Sequence, residues 1–521
     1  MRKVRIDPYL IVSAIVSIIY TYLIIWLIPA WSYFLNPDGY SYLTIALKFK
    51  SLNLHNMFLA INGLWGPIFP IVATFFLGIS NYIKAIKLAN AFTGILSLLA
   101  FIKLMQRFNV KPLYAFLLSS LAITSSVALS LTIVAPDQLL VVFLLCYTYI
   151  LFGDRYFLNY RRAITCGVFG FLAYLTKQYA FYFFLLHFTL VNFVLLRIYW
   201  KTEYKKQLIR SYIYGMGIFL ILSLFWTGVL SYRYKTFTVE SSSKINILLL
   251  LKSKQNDSIL TDNGLIPPPN STAVNAWEDP TSLLNNTRGE FMSATKYSQL
   301  VLSNITKIYF SESGFILSLL VLALFGIFLK YHLGDTTLKQ KYILLFISYL
   351  VFPIGYIFLR VEFRYMLYMY YIVLTMLGIL LSSDYFQRLR LVVKAVIIIV
   401  IACAIFKPIS TIDGRYFNKE LFLTINVLSQ IKNEFLPGDS FASNSNYFGA
   451  TALAYQLKGQ YFGQIQQNAT PEYIEEQLNT YRIKYYVIWP DMGASYVPNG
   501  YPIRVTYADS DKTMMLLIQR Y

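Results

Sequence analysis

The sequence predicts a polytopic α-helical membrane protein of about eleven transmembrane helices with a C-terminal extracytoplasmic α/β or α+β domain. Three observations predict it. Of the 521 residues, 57% are hydrophobic and only 13% charged, with a mean hydropathy of +0.53, whereas soluble domains carry about a quarter charged residues. Apolar runs near bilayer-spanning length recur from Tyr9 to Phe406. Beyond them, the composition changes to that of a small water-soluble domain. The expected division is a membrane region at 1–410, with outer loops at about 30–83 and 231–313, and a soluble domain at 411–521.

The net charge of +20 would suit a nucleic-acid partner only if the cations lay on one soluble face. They are instead distributed between apolar runs, as the positive-inside bias of membrane proteins requires. Cys146, Cys166 and Cys403 all fall in hydrophobic runs, and His55, His187 and His332 are scattered. That excludes a disulfide framework and gives no zinc-ligand spacing.

The first span runs about Tyr9 to Ile28. Arg2, Lys3 and Arg5 precede it, so the N-terminus is expected in the cytoplasm and the following segment outside. No small-residue cleavage site follows before Trp31, and the run reads as a retained span. Asn36-Pro37-Asp38-Gly39 then reads as a turn carrying one carboxylate just beyond the membrane exit. Ser41 to Asn62 is only moderately apolar and suits a helix along the membrane surface. The prolines of Gly63-Leu64-Trp65-Gly66-Pro67-Ile68-Phe69-Pro70 break regular structure at the interface.

Further spans are expected at about Lys84–Met105, Leu113–Thr132, Gln138–Phe152, Ile164–Leu175, Ala180–Arg197 and Leu208–Leu230, then Phe315–Leu329, Tyr342–Leu359, Met366–Leu381 and Val392–Phe406. Charge supports this threading. The predicted inner segments hold Arg107 and Lys111, Arg155 and Arg161, Lys201 and Lys205, Lys339 and Lys341, Arg388 and Arg390. Asp38, Asp137, Glu240, Glu278, Asp279 and Glu362 all fall on the other side. Localisation in the plasma (inner) membrane follows, with the C-terminal domain extracytoplasmic.

The long loop carries Trp277-Glu278-Asp279, an aromatic beside two acids that suits sugar binding or anchoring at the membrane surface. In the C-terminal region, Asn418–Glu434 and Tyr447–Leu457 read as amphipathic helices. Thr470-Pro471-Glu472 is a helix start, and Ile483–Trp489 and Met514–Ile518 are strands.

Asp38, Asp137, Lys177, Glu362 and Arg364 all fall at one membrane face. Charges at membrane depth are costly unless paired or turned to a water-filled cavity. Taken singly, each has a plain structural role: an Asx bond for Asp38, an N-cap for Asp137, an interfacial anchor for Lys177, a pair with Glu362 for Arg364. Together they make a candidate site.

The order of Pro37-Asp38-Gly39-Tyr40-Ser41-Tyr42-Leu43, Leu64-Trp65-Gly66-Pro67-Ile68-Phe69-Pro70, Pro136-Asp137 and Glu362-Phe363-Arg364-Tyr365 resembles the GT-C superfamily of membrane glycosyltransferases. The nearest likeness is to bacterial relatives of the protein O-mannosyltransferases and aminoarabinose transferases. The resemblance implies transfer of a single sugar from a polyprenyl-phosphate-linked donor to a lipid, glycan or protein acceptor on the extracytoplasmic face. By position Asp38 matches the family's catalytic or acceptor-orienting aspartate. Lys177 and Arg364 are then candidates for the donor phosphate, and Asp137, Glu362, Glu278 and Asp279 for supporting acids. Tyr40, Trp65, Tyr365 and Trp277 are candidates for substrate contact. No metal ligands are assigned, and no cofactor is required, with a divalent metal left open. Where some relatives have paired Asp-Glu in the first loop, Gly39 follows Asp38 here. A transporter or flippase of a lipid-linked glycan, or a noncatalytic glycan-binding membrane protein, are the alternatives. A transporter is expected to show internal repeats, and none is evident.

Overall fold

The computed structural model describes residues 7–32, 35–153, 155–252, 264–281, 294–309, 336–359, 361–383, 435–465, 469–489, 503–508 and 514–519, with isolated positions between them. The spans expected at Phe315–Leu329 and Val392–Phe406, the helix expected at Asn418–Glu434 and the expected boundary near residue 410 lie outside the described residues.

A long first helix, α1 (Pro8–Trp31), is followed by three short ones, α2 (Pro37–Lys50), α3 (Leu54–Ala60) and α4 (Ile68–Thr74). The bundle continues with α5 (Tyr82–Arg107), α6 (Pro112–Thr132), α7 (Asp137–Leu151), α8 (Tyr160–Thr176), α9 (Tyr179–Ile198) and α10 (Lys205–Tyr234). After these come α11 (Ser242–Lys252), α12 (Ala294–Tyr309), α13 (Thr336–Val351) and α14 (Leu367–Ser382). Among the described residues six helices are long and apolar enough to cross a membrane, and two shorter apolar helices lie at Asp137–Leu151 and Tyr342–Ile357. The segment expected as a turn at Asp38 is instead the first turn of α2. Pro37 occupies the position where its fixed φ and missing N–H cost a helix nothing.

Large apolar side chains of α1, α5 to α10, α13 and α14 form one continuous core. Several of the polar groups within it are hydrogen-bonded to one another. His187 is fully buried between the Tyr147 hydroxyl and Ser348 Oγ, each at 2.8 Å. A second cluster, around Tyr42, Trp65, Phe69 and Ile86, sits where α2 and α4 cap the bundle.

The C-terminal region is a five-stranded mixed sheet in the order β2-β1-β3-β5-β4. Its strands are β1 (Ser440–Ser443), β2 (Gln460–Gln464), β3 (Tyr485–Ile488), β4 (Ile503–Ala508) and β5 (Met514–Gln519). Parallel pairs β1/β2 and β1/β3 are joined through α15 (Tyr447–Gln456) and α16 (Pro471–Thr480), and the β3, β5 and β4 pairings are antiparallel. Thr470 caps α16 by accepting from Tyr473 N at 3.3 Å, with Pro471 at the first position, as the sequence implies. Strands β1, β2 and β4 escaped the sequence reading, β4 despite the alternation of Ile503-Arg504-Val505-Thr506-Tyr507. The sheet reaches the bundle through Ala452 and through the Tyr455 ring, 5.2 Å from that of Tyr40.

Candidate active site

The helix termini that follow or precede α1, α6, α8, α10 and α14 meet at one end of the bundle, and the charged residues of interest sit on them. Asp38 lies in the first turn of α2 and Asp137 in that of α7, where the positive end of the helix dipole favours a carboxylate. The N-cap position of α7 is Pro136 and Asp137 is the first helical residue, so the capping role does not explain it. Asn36 ties the two segments together: its Oδ1 accepts from Val134 N at 2.9 Å and its Nδ2 donates to Val134 O at 3.3 Å. This approach also crowds Gly39. A Cβ there would stand 3.2 Å from Val134 Cβ and 3.0 Å from Asn36 Oδ1, so a side chain beside Asp38 would have to push these neighbours aside by a few tenths of an ångström.

Gly66 performs the same service on the other flank. A Cβ at 66 would collide with the carbonyl oxygen of Leu175 and lie 2.7 Å from that of Thr176, so only glycine lets the Trp65-Pro67 segment lie against the end of α8. Because those neighbours are backbone, Gly66→Ala is expected to destabilise the protein by about 1–3 kcal/mol, read as a lowered thermal midpoint in detergent; an unchanged midpoint would refute this packing.

The ionic groups form a connected set. Arg364 donates from Nη2 to Asp38 Oδ2 at 3.0 Å and from Nε to Glu362 Oε2 at 2.7 Å. Lys177 donates to Asp137 Oδ1 at 2.5 Å. The side chains of Arg364, Lys177 and Asp38 are 12%, 21% and 17% exposed, enough to meet a ligand without being solvated away from one another. Asp137 Oδ2 is buried and has no partner among the described residues. An unsatisfied buried acceptor costs about 1–3 kcal/mol, so this oxygen is suited to receive a donor from a ligand.

Aromatic rings complete the walls. The Lys177 ammonium lies 3.6 Å above the centre of the Tyr365 ring, where the π face attracts a cation. Tyr356 is stacked between Tyr179 at 4.0 Å and Tyr365 at 5.2 Å. All these groups border a cavity of about 360 Å³, with Trp65, Trp277, Gln178 and Glu240 also on its lining.

The 264–281 segment closes over this end. Trp277 donates from Nε1 to Asp38 Oδ1 at 3.0 Å and accepts at its carbonyl from Trp65 Nε1 at 3.0 Å. Its neighbours act as anchors. Glu278 pairs with Lys48 of α2, and Asp279 with Arg233 at 2.8 Å and with the Tyr234 hydroxyl at 2.9 Å at the end of α10. The segment is further tied to the sheet edge: Tyr461 N donates to Val274 O at 2.6 Å and Ile266 N to Phe462 O at 2.7 Å.

Of the residues singled out in the sequence, Asp38, Trp65, Asp137, Lys177, Trp277, Glu362, Arg364 and Tyr365 line one cavity. Glu278 and Asp279 do not; their carboxylates turn to Lys48 and Arg233. Tyr40 is buried against Tyr455 instead. The sequence reading missed Tyr42, Gln178, Tyr179 and Tyr356, also on the lining. In a chain with 44 tyrosines, no local signal separates these from core aromatics. No group of three or more His, Cys, Asp or Glu converges among the described residues, and Asp38 and Asp137 each give an oxygen to a cationic side chain. Among the described residues, then, Asp38, Asp137 and Glu362 are engaged with cations rather than gathered as a ligand set.

No known protein family matches the sequence, and no curated protein matches it. Solved structures do match in fold. The oligosaccharyltransferase of Archaeoglobus fulgidus in the apo form superposes with a TM-score of 0.57 at 13% identity, over 92% of this chain and 69% of that one. The same archaeal enzyme, AglB, in complex with an inhibitory peptide and a dolichol-phosphate gives 0.56 at 12% identity, over 98% and 74%. ArnT from Cupriavidus metallidurans bound to undecaprenyl phosphate gives 0.51 at 12% identity, over 98% and 97%. One further structure of the archaeal enzyme holds Zn and sulfate. The chain therefore has the fold of the GT-C membrane glycosyltransferases.

Proposed function

We propose that this protein transfers one sugar from a polyprenyl-phosphate-linked donor to a hydroxyl-bearing acceptor at the extracytoplasmic end of the bundle, with Asp38 as the base. The observation that carries the reading is the meeting, in one cavity, of a carboxylate with two cations that can hold a phosphate. The boundary between the membrane and soluble regions falls, on this reading, near residue 410.

In this reading the acceptor oxygen attacks the anomeric carbon while the bond from that carbon to the phosphate oxygen breaks. The lipid phosphate leaves with the electron pair, and the acceptor proton passes to Asp38. An ionised carboxylate offers about four lone-pair sites. Trp277 and Arg364 occupy two on Asp38, which leaves acceptor capacity and fixes its orientation. Arg364 bonds its two acids through Nε and Nη2; its Nη1 and the Lys177 ammonium are suited to the developing phosphate charge. A single displacement of this kind inverts the anomeric centre. Glu278 and Asp279 serve to place Trp277 rather than to react.

The test is the glycan complement of a strain lacking the gene, read by mass spectrometry. Loss of one sugar, restored by the wild-type chain and not by Asp38→Asn, is the expected result; an unchanged glycan complement would refute the proposal.

Burial, the dominant influence, lowers the Lys177 ammonium below its ordinary 10.5 against the upward pull of Asp137. The charged form exists below that lowered value and is lost as pH rises through it. Transfer is therefore expected to fall on an alkaline limb centred below pH 10.5, and Lys177→Arg, which keeps its charge, is expected to flatten that limb in a pH–rate profile.

A further inference from the structure

A second group of polar side chains, Gln178, Asn246 and Glu240, borders the same cavity beside the ions. Gln178 follows Lys177 directly in the chain, at the junction of α8 and α9. It is 2% exposed, and its Oε1 accepts from Ser242 N at 3.3 Å. Its Nε2 is buried with no partner among the described residues. Asn246, one turn into α11, donates its Nδ2 to Ser242 O at 2.7 Å, so its amide oxygen is the acceptor of that side chain. Glu240 lies alongside, yet its carboxylate already takes Ser242 Oγ at 2.7 Å, Ser243 N at 2.9 Å and Ser243 Oγ. It is consumed in holding the start of α11.

We infer that Gln178 and Asn246 form the subsite for the hydroxyl-bearing ring of the transferred sugar, which is a neutral polyol at that point. The inference rests on the proposed donor chemistry. A sugar phosphate places its ring one bond beyond the phosphate oxygen, so a phosphate held by Lys177 sets the ring against the adjacent residue. One carboxamide N–H donor and one amide oxygen acceptor match a hydroxyl, which both accepts and donates. Buried groups built to bond a hydroxyl reject an analogue lacking it, because they are then left unpaired. The unpartnered Gln178 Nε2 is such a group.

The experiment measures binding by native mass spectrometry to full-length protein in nanodiscs. The probes are undecaprenyl phosphate alone and undecaprenyl phosphate bearing glucose, galactose, mannose or N-acetylglucosamine. The readout is the ratio of affinities, sugar-bearing over bare. Wild type is expected to prefer at least one sugar-bearing lipid, and Gln178→Met to lose that preference by about tenfold, with bare-lipid binding kept. Asn246→Ala removes the amide oxygen acceptor from the other half of the subsite and adds no charge, so a lowered ratio is expected there even if Gln178→Met folds poorly. Equal loss for both lipids in both variants, or a retained ratio, overturns the subsite while leaving the donor reading intact. A wild type that binds no sugar-bearing lipid better than bare undecaprenyl phosphate overturns the donor reading, and the subsite with it.

Discussion

Asp38→Asn is expected to lower the transfer rate by about 10²–10⁴-fold, the usual contribution of a positioned general base, with the protein still folded and still binding undecaprenyl phosphate. The substitution is isosteric but chemically one-sided. Asp38 accepts from two donors, Trp277 Nε1 on one oxygen and Arg364 Nη2 on the other. An asparagine offers an oxygen to only one of them and turns an NH₂ toward the other. It also cannot take a proton from the acceptor. Arg364 keeps Glu362 as a partner, so the phosphate end stays charged, and removing one negative charge there leaves lipid phosphate binding unchanged or tighter. The measurement is kcat at saturating donor together with binding of the bare lipid. Transfer within a few-fold of wild type would remove Asp38 from the mechanism. Asp137 would then become the base to test, since its Oδ2 is buried without a partner among the described residues.

The sequence revealed the bundle because length, apolar runs and alternating basic segments are each enforced by the bilayer. No water is available there to satisfy a stray backbone group or charge. The same cost made Asp137, Lys177 and Arg364 conspicuous, and all three line the cavity. Sequence pattern told less where pairing is long-range. Glu278 and Asp279 look like reactive acids beside Trp277, yet Lys48 lies 230 positions from Glu278 and Arg233 lies 46 from Asp279. Only folding reveals that both acids are anchors. Gly39 reads as a departure from relatives, and only the fold shows how closely Val134 and Asn36 approach it. Gln178 gave no signal at all, because an unpartnered amide is defined by surroundings that a linear sequence does not display.

Arg364→Ala is expected to be as damaging as Asp38→Asn and by a different route. Removing one preorganised donor to a developing charge costs about 10²–10³-fold in rate, and here the same guanidinium also separates two acids. Without it, Asp38 and Glu362 each lose the Arg364 guanidinium as a partner, and an incoming phosphate meets two carboxylates that are less well neutralised. Donor affinity is therefore expected to fall along with kcat, whereas Asp38→Asn lowers kcat alone. Arg364→Lys recovers only part of the loss, because an ammonium lacks the planar fork that spans both acids. The decisive comparison is the double variant Asp38→Asn/Arg364→Ala. Two independent contributions would multiply, but groups that act as one unit are strongly non-additive. The double variant is expected to bind undecaprenyl phosphate better than Arg364→Ala alone, since one of the two carboxylates near the phosphate is gone, while its transfer rate stays at the level of the worse single variant. Multiplying losses in both binding and rate would show that Asp38 and Arg364 act separately, and that the ion pair between them is packing rather than mechanism.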